Sequence, residues 1–477
     1  MASLQELGAE VAKLCEALGS QLKAGNHPEP SFAVDGPERY PHDPAIQMSR
    51  FQLLDKIRDL LYLTTGPADF AFMEVPLFVS RSNGPPSQAP HSIIALHSPP
   101  SERVKETNTT KHFQKAQHDV INLNVLNEFD FFGIVPVEGG ASYAEIAEAT
   151  RLPEELVRRL LRYSFTMRVF APDGPDRVAH TPFSAYVARN PMLKSWIGHN
   201  GDECRTAGLG FVRALREFTV GKPEVSQEID EGGFSMIMPR RKDGSRTDFW
   251  KAAEDEPWRV KRFAEAMQVT GMSAMVSIDV VIDSFDWAGL GNATVVDVGG
   301  SDGHIMVPVA RKHPSLDFVV QDLPRLEPDF KKFMAGAASD VAPRFAWQAH
   351  DFFKPQPALP GGKEADLYFL KHVLHDWPEK YAVKILQGLV PALKKPGARI
   401  LLCDSLIPPL EEAGHLPKVA QKGMAMADMQ MMMMFNAQER TPDIYARVVA
   451  KADPRLKIKN MISIPGALMS LIELALE

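Results

Sequence analysis

Apolar positions recur along this chain in two rhythms, and the change between them divides it. As far as Asp286 the rhythm is helical. MASLQELGAEVAKLCEALGS sets apolar residues at helical spacing among charges. After a polar Pro/Gly linker from Gly25 to Pro44, IQMSRFQLLDKIRDLLYLTT repeats that pattern. Ser80 to Thr110 is rich in Ser and Pro and reads as an irregular or mobile loop, and a long helical pattern follows from Lys111 to Phe132. Ser142 then caps a short helix. Leu152-Pro153 opens a second, with Leu156, Leu160 and Leu161 expected on one face, and two short alternating segments flank Asp173-Gly174. Thr247 to Asp286 is again helical. From Ala293 onward TVVDVGG, LDFVVQDL, RFAWQAHDFF, ADLYFLKHV, ARILLCDSL, LKIKNMISI and ALMSLIELAL alternate with helical stretches. Such alternation predicts an α/β class with a doubly wound, mostly parallel sheet.

Composition narrows the function classes. A chain of 477 residues, 45% hydrophobic and 24% charged, is long enough for two or three cored units of a soluble protein. Its net charge of −7 offers no general attraction to nucleic acid or to an anionic membrane. Cys15, Cys204 and Cys403 are widely spaced, form no metal or disulfide pattern, and suit a reducing compartment. The N-terminal segment has neither the basic start of a signal peptide nor the apolar length of a membrane span, so a cytoplasmic location is expected. The two helices around Pro153 followed by a hairpin form a winged-helix pattern, which in isolation suggests DNA binding. The second helix sets Glu154 and Glu155 against Arg158, Arg159 and Arg162, however. With an acidic chain around it, a structural or dimerising use is expected and nucleic acid is not.

The chemistry-bearing residues cluster at strand ends. Asp297-Val298-Gly299-Gly300-Ser301-Asp302-Gly303 lies between a strand and a helix, where glycines let backbone N–H groups approach a ligand. The dinucleotide pattern G-x-G-x-x-G fails at Ser301 and His304. D-x-G-x-x-x-G instead suits S-adenosylmethionine, which has no pyrophosphate to cradle; a tight turn with no ligand is the alternative. Asp322 closes the next strand, where an acid accepts ribose hydroxyls. Asp351-Phe352 ends the third, where an acid and a ring suit adenine, although Asp351 alone would pass as a turn residue.

His375 closes the run ADLYFLKHVLHDW and is a candidate general base at the carboxyl edge of the sheet. A lone histidine there is more often a satisfied structural group. Asp404, ending the next strand, and Glu439, opening QERTPD, change that weighting, because a carboxylate on one ring nitrogen fixes the tautomer and stabilises the imidazolium. For Glu439 a purely local helix start with Thr441 stays open. The Met-rich run MQMMMMF reads as helix core or as a soft lining for a flat ligand.

DVGGSDGH, QDLP, LKHVLHDWP, a strand ending in an acid and ERT, in that order and spacing, resemble the S-adenosylmethionine-dependent small-molecule O-methyltransferases of plant and fungal specialised metabolism. The resemblance runs from about Lys111 to the C-terminus. It implies a helical N-terminal extension over 1–110, a winged-helix dimerisation domain over 111–245 in a homodimer, and a seven-stranded Rossmann-like methyltransferase domain over 246–477. By the same resemblance His375 is the base, flanked and oriented by Asp404 and Glu439. Asp297, Gly299, Asp322, Leu323, Asp351, Phe352 and Lys371 contact S-adenosylmethionine, with no metal. Phe263, Met267, Asp376, Met429, Met433 and Met434 line the pocket of a small aromatic or polyketide-like substrate.

Three departures stand out. Ser301 and Asp302 replace small residues of the glycine turn, Asp404 stands where plant members have a longer Glu, and the N-terminal region follows the longer fungal pattern. Two rival readings remain: a related enzyme that binds S-adenosylmethionine yet catalyses dehydration or pericyclic closure, and a winged-helix regulator with a sensing domain.

Overall fold

The structure, a computed structural model, describes residues 3–30, 41, 43–79, 108–270, 283–409, 418–463 and 469–477. Most of the irregular segment expected from Ser80 to Thr110 lies outside them. Among the described residues two compact units separate, and the chain passes into the second between Asn190 and Pro191.

Capping chemistry sets the first unit's motif. Ser142 Oγ accepts from the Glu145 N–H at 3.2 Å while Glu145 Oε2 accepts from the Ser142 N–H at 2.7 Å, and this reciprocal cap opens the helix Tyr143–Thr150. Pro153 precedes the next helix, Glu154–Thr166. Strand β1 (Ala141–Ser142) and the hairpin of β2 (Phe170–Pro172) and β3 (Arg177–His180) form an antiparallel sheet in the order β1-β3-β2. The helix pair and wing expected here are therefore present. The buried face differs from the expected one: Val157, Leu161 and Ser164 face inward and Leu156 is exposed. Positions i, i+4 and i+7 make that stripe, and Leu156 falls one residue off it.

In the second unit a seven-stranded sheet runs β6-β5-β4-β7-β8-β10-β9. Its strands are β4 (Thr294–Val298), β5 (Asp317–Asp322), β6 (Phe345–Ala349), β7 (Leu367–Lys371), β8 (Arg399–Ser405), β9 (Leu456–Ser463) and β10 (Met469–Leu476). The first five are parallel, and β10 pairs antiparallel with both β8 and β9. Val295, Val296, Leu367, Phe369, Ile400, Leu401 and Leu402 are fully buried, as strands covered on both faces require. Strand order reverses between β4 and β7, which opens a crevice at their carboxyl ends. No described helix is long and apolar enough to cross a membrane.

Close backbone contact fixes one helix crossing beside this sheet. A Cβ on Gly210, in the helix Arg205–Phe218, would lie 2.0 Å from the Gly233 carbonyl oxygen, and one on Gly233 would lie 2.2 Å from that of Ala207. Gly210→Ala should therefore lower the unfolding free energy by about 1–3 kcal/mol in a denaturant titration. Gly8→Ala, with open space around it, should cost no stability.

Candidate active site

Lys371 ends β7, and the chain then turns out of the sheet through His372, whose φ of 52° is left-handed. The His372 N–H donates to the Cys403 carbonyl at 3.0 Å, and a single helical turn, Leu374–Asp376, follows. This turn carries His375 into the crevice. Arg440, fully buried, clamps it from below. One guanidinium nitrogen donates to the Leu374 carbonyl at 2.7 Å and another to that of Trp377 at 2.6 Å.

The His375 ring is held on both nitrogens. Nδ1 lies 2.8 Å from Glu439 Oε1 and Nε2 lies 3.4 Å from Asp376 Oδ1. The Glu439 N–H donates to Asp428 Oδ1 at 2.9 Å, and the His372 ring stacks on His375 with centroids 4.9 Å apart. Burial opposes charge on His375, but Glu439, Asp376 and Asp404 outweigh it and push the imidazole up to about 10. Burial pushes Asp376 up to about 7, against the pull of His375.

Asp404 occupies a different place from the flanking one expected. It is buried at the end of β8, where Oδ2 accepts from the Tyr445 hydroxyl at 3.1 Å and Oδ1 has no hydrogen-bond partner. It acts on His375 through its charge, while the carboxylate against the second ring nitrogen is Asp376.

The other expected site residues gather along the same edge. Asp297 ends up beneath the glycine turn, buried, with Oδ2 lacking a partner; burial, helped by the charge of Asp322, raises its pKa to about 7. Gly299 has a φ of +73°, and a Cβ there would meet Val373 at 3.2 Å and Phe352 at 3.9 Å. Asp322 accepts from the Ser301 N–H at 2.9 Å and from the Leu323 N–H at 2.7 Å. Asp351 accepts from the Phe353 N–H at 2.9 Å. Lys371 Nζ lies 3.2 Å from His372 Nδ1, and burial lowers its pKa.

Phe263 and Met267 share the helix Pro257–Thr270. In the helix Lys418–Phe435, Met433 and Met434 are buried and Met429 is exposed. Two contributors escaped the sequence reading. Trp250 stacks between Trp377 (centroids 5.8 Å apart) and Phe435 (5.3 Å), and its ring also meets Phe263 at 5.6 Å. Arg440 was visible only as part of ERT. No cluster of His, Cys, Asp and Glu suited to a metal ion occurs among the described residues.

Removing the clamp leaves the Trp377 carbonyl unpaired and the Leu374 carbonyl with only the Trp377 N–H at 3.2 Å, so Arg440→Met should cost about 1–3 kcal/mol of unfolding free energy. Arg311→Met, which breaks an exposed pair with Asp340, should cost under about 1 kcal/mol in the same denaturant titration.

Comparison with known proteins agrees with this geometry. Residues 230–453 match the profile of the O-methyltransferase domain. The O-methyltransferase lcsG of Purpureocillium lilacinum is 32% identical over 470 residues, covering 96% of this chain and 90% of the relative. Two solved structures share the fold. LepI in complex with SAM superposes with a TM-score of 0.64 at 18% identity, covering 98% of this chain and all of that one (100%). A pericyclic reaction enzyme gives 0.62 at 20% identity, over 78% of this chain and 90% of its own. With near-complete coverage of such a relative at that identity, the chain belongs to the O-methyltransferase family.

Proposed function

We propose that this chain transfers the methyl group of S-adenosylmethionine to a phenolic or enolic hydroxyl of a small aromatic or polyketide-like metabolite, with His375 as general base. The observation that carries the reading is an imidazole held between Glu439 and Asp376 at the crevice of the sheet. The residues around the glycine turn fit the donor. Both Asp322 oxygens keep lone pairs beyond their backbone bonds, Asp297 has a buried oxygen without a protein partner, and Gly299 keeps the turn open to close approach. Asp297, Gly299, Asp322, Leu323, Asp351, Phe352 and Lys371 would hold it, and when bound it supplies a sulfonium methyl.

The chain's own residues then manage one proton. A phenol has a pKa near 10, so giving its proton to an ordinary imidazole near 6.5 is uphill by about 3.5 units, or about 5 kcal/mol. The carboxylates around His375 push it up to about 10 and remove that mismatch for the fraction of molecules whose imidazole is unprotonated. Nε2 takes the proton while Glu439 holds the opposite nitrogen and stabilises the cation. Asp376 stands beside Nε2 and, with Glu439, stabilises the imidazolium that forms, which gives its proton up to solvent. Trp250, Phe263, Phe435 and Trp377 exclude water from the acceptor.

Homodimerisation belongs to the same reading. Met48, Phe51, Leu54, Ile57 and Leu61 stand exposed along the helix Pro44–Val79, a stripe suited to a second copy.

Mass spectrometry with methyl-labelled S-adenosylmethionine and a panel of phenols tests the reaction: label should appear in an acceptor together with S-adenosylhomocysteine. Donor recovered unchanged beside a rearranged or dehydrated acceptor would overturn methyl transfer. His375→Ala should lose on the order of 10²- to 10⁴-fold in turnover while donor affinity by calorimetry holds. The pH profile has a definite sign. The base works unprotonated and its pKa is raised from 6.5 to about 10, so kcat/KM should climb through the alkaline range, once the acceptor's own titration is subtracted. Glu439→Gln should move that midpoint down toward 6.5. A wild-type midpoint near 6.5 would count against the geometry as the source of basicity.

A further inference from the structure

A second buried ionic group lies apart from the base and is unused by the mechanism above. The helix Pro191–His199 runs into one π-helical turn, Asn200–Cys204, before the helix Arg205–Phe218. A widened turn of this kind is rare and interrupts regular helix packing, and it occurs often at functional sites. His199 and Glu203, at its two ends, are both buried. Glu203 Oε1 accepts from Arg259 at 2.9 Å and from Arg262 at 3.0 Å, and Arg262 also reaches Asp202 at 2.7 Å. His199 Nδ1 lies 3.4 Å from Glu203 Oε2, and the Cys204 thiol is its other polar neighbour.

Apolar side chains of similar volume often replace a buried ion pair without loss of stability, so this set is a weak contributor to folding and a candidate for another use. Its surroundings indicate one. The His199 ring packs edge-on against Phe263 (5.5 Å) and Phe249 (6.0 Å), and its charge reaches Asp376, the acid that touches His375. Two guanidiniums fix Glu203, whose Oε2 lies on the Nδ1 side of the ring at ion-pair distance without a hydrogen bond; burial opposes charge on the imidazole, and Cys204 and Glu203 together outweigh it. Nε2 lies across the five-membered ring from Nδ1, on the side opposite Glu203. An oriented imidazolium is a donor and cannot accept.

We propose that His199 is a second polar anchor of the acceptor pocket, donating from Nε2 to a carbonyl or phenolate oxygen of the acceptor, so that the preferred substrates are hydroxyaryl ketones rather than simple phenols. The assignment rests on the methyl-transfer reading for the fate of the hydroxyl, which His375 serves, while His199 reads the neighbouring oxygen.

Tryptophan-fluorescence titration of the full chain with 1-hydroxy-2-acetonaphthone and with 1-naphthol tests it. Wild type should bind the ketone roughly 10- to 100-fold more tightly, the weight of one charge-assisted hydrogen bond. His199→Ala should abolish that preference, and His199→Gln, which keeps an N–H and guards against a folding failure, should retain part of it. A wild-type protein that binds the two probes equally, or neither, overturns the assignment, as does a preference that survives in both variants. Label transfer from S-adenosylmethionine, measured separately, keeps the two ideas apart. A ketone preference without methyl transfer sinks the reaction and spares His199, and methyl transfer without the preference does the reverse.

Discussion

The clamp that Arg440 places on the turn after β7 is the contact on which the site depends. A fully buried guanidinium is costly unless its donors are used, and here two of them end on the Leu374 and Trp377 carbonyls. Those carbonyls bracket His375 and Asp376, so the clamp fixes the backbone from which both side chains project. Arg440 directly follows Glu439, and its carbonyl accepts from the Ile407 N–H at 3.0 Å. One dipeptide therefore ties the end of β8, the base turn and the carboxylate on Nδ1 into a single unit. Without it, the 2.8 Å contact between His375 and Glu439 would rest on two independently placed loops.

That rigidity matters because the electrostatics are finely opposed. Burial alone disfavours the charged imidazole, and only carboxylates held in fixed positions reverse the balance. Asp376, Asp404 and Glu439 cannot all be ionised at low cost so close together, and burial raises the pKa of the first two. Asp404 takes its hydrogen bond from the Tyr445 hydroxyl and acts on the ring through its charge. The result is one imidazole with a strong appetite for a proton and one neighbouring acid, Asp376, that titrates near neutrality.

How much of this was legible depends on where each signal originates. The strands were readable because burial on both faces demands unbroken apolar runs such as those ending at Val298 and Lys371. The expectation that His375 and Glu439 meet at one edge followed from strand order, and their contact is present. The neighbour on Nε2 was not readable, since the turn Leu374–Asp376, which swings Asp376 back onto the ring, leaves no periodic trace. Asp404 differs for a related reason: a residue at a strand end faces whichever layer its register selects, and here that layer holds Tyr445. A nearly uniform run of methionines conceals the phase of its own helix, so Met429 outside and Met433 inside look alike in sequence. The stack of Trp250 between Trp377 and Phe435 joins segments more than a hundred residues apart, beyond any local pattern.

The acids on the other side of the crevice extend the same logic. Asp297 is buried with a pKa of about 7 and an unpaired oxygen, and Asp322 adds to its upward shift. Such a group is partly protonated at neutral pH and becomes a full carboxylate only when a positive charge arrives beside it. A cation entering this turn is therefore held more firmly than a neutral molecule of the same shape, and its arrival releases a proton. On the proposed reaction the donor enters as a sulfonium and leaves as an uncharged thioether. A donor whose positive charge lay beside Asp297 would be favoured in this way, and loss of that charge would let Asp297 take its proton back.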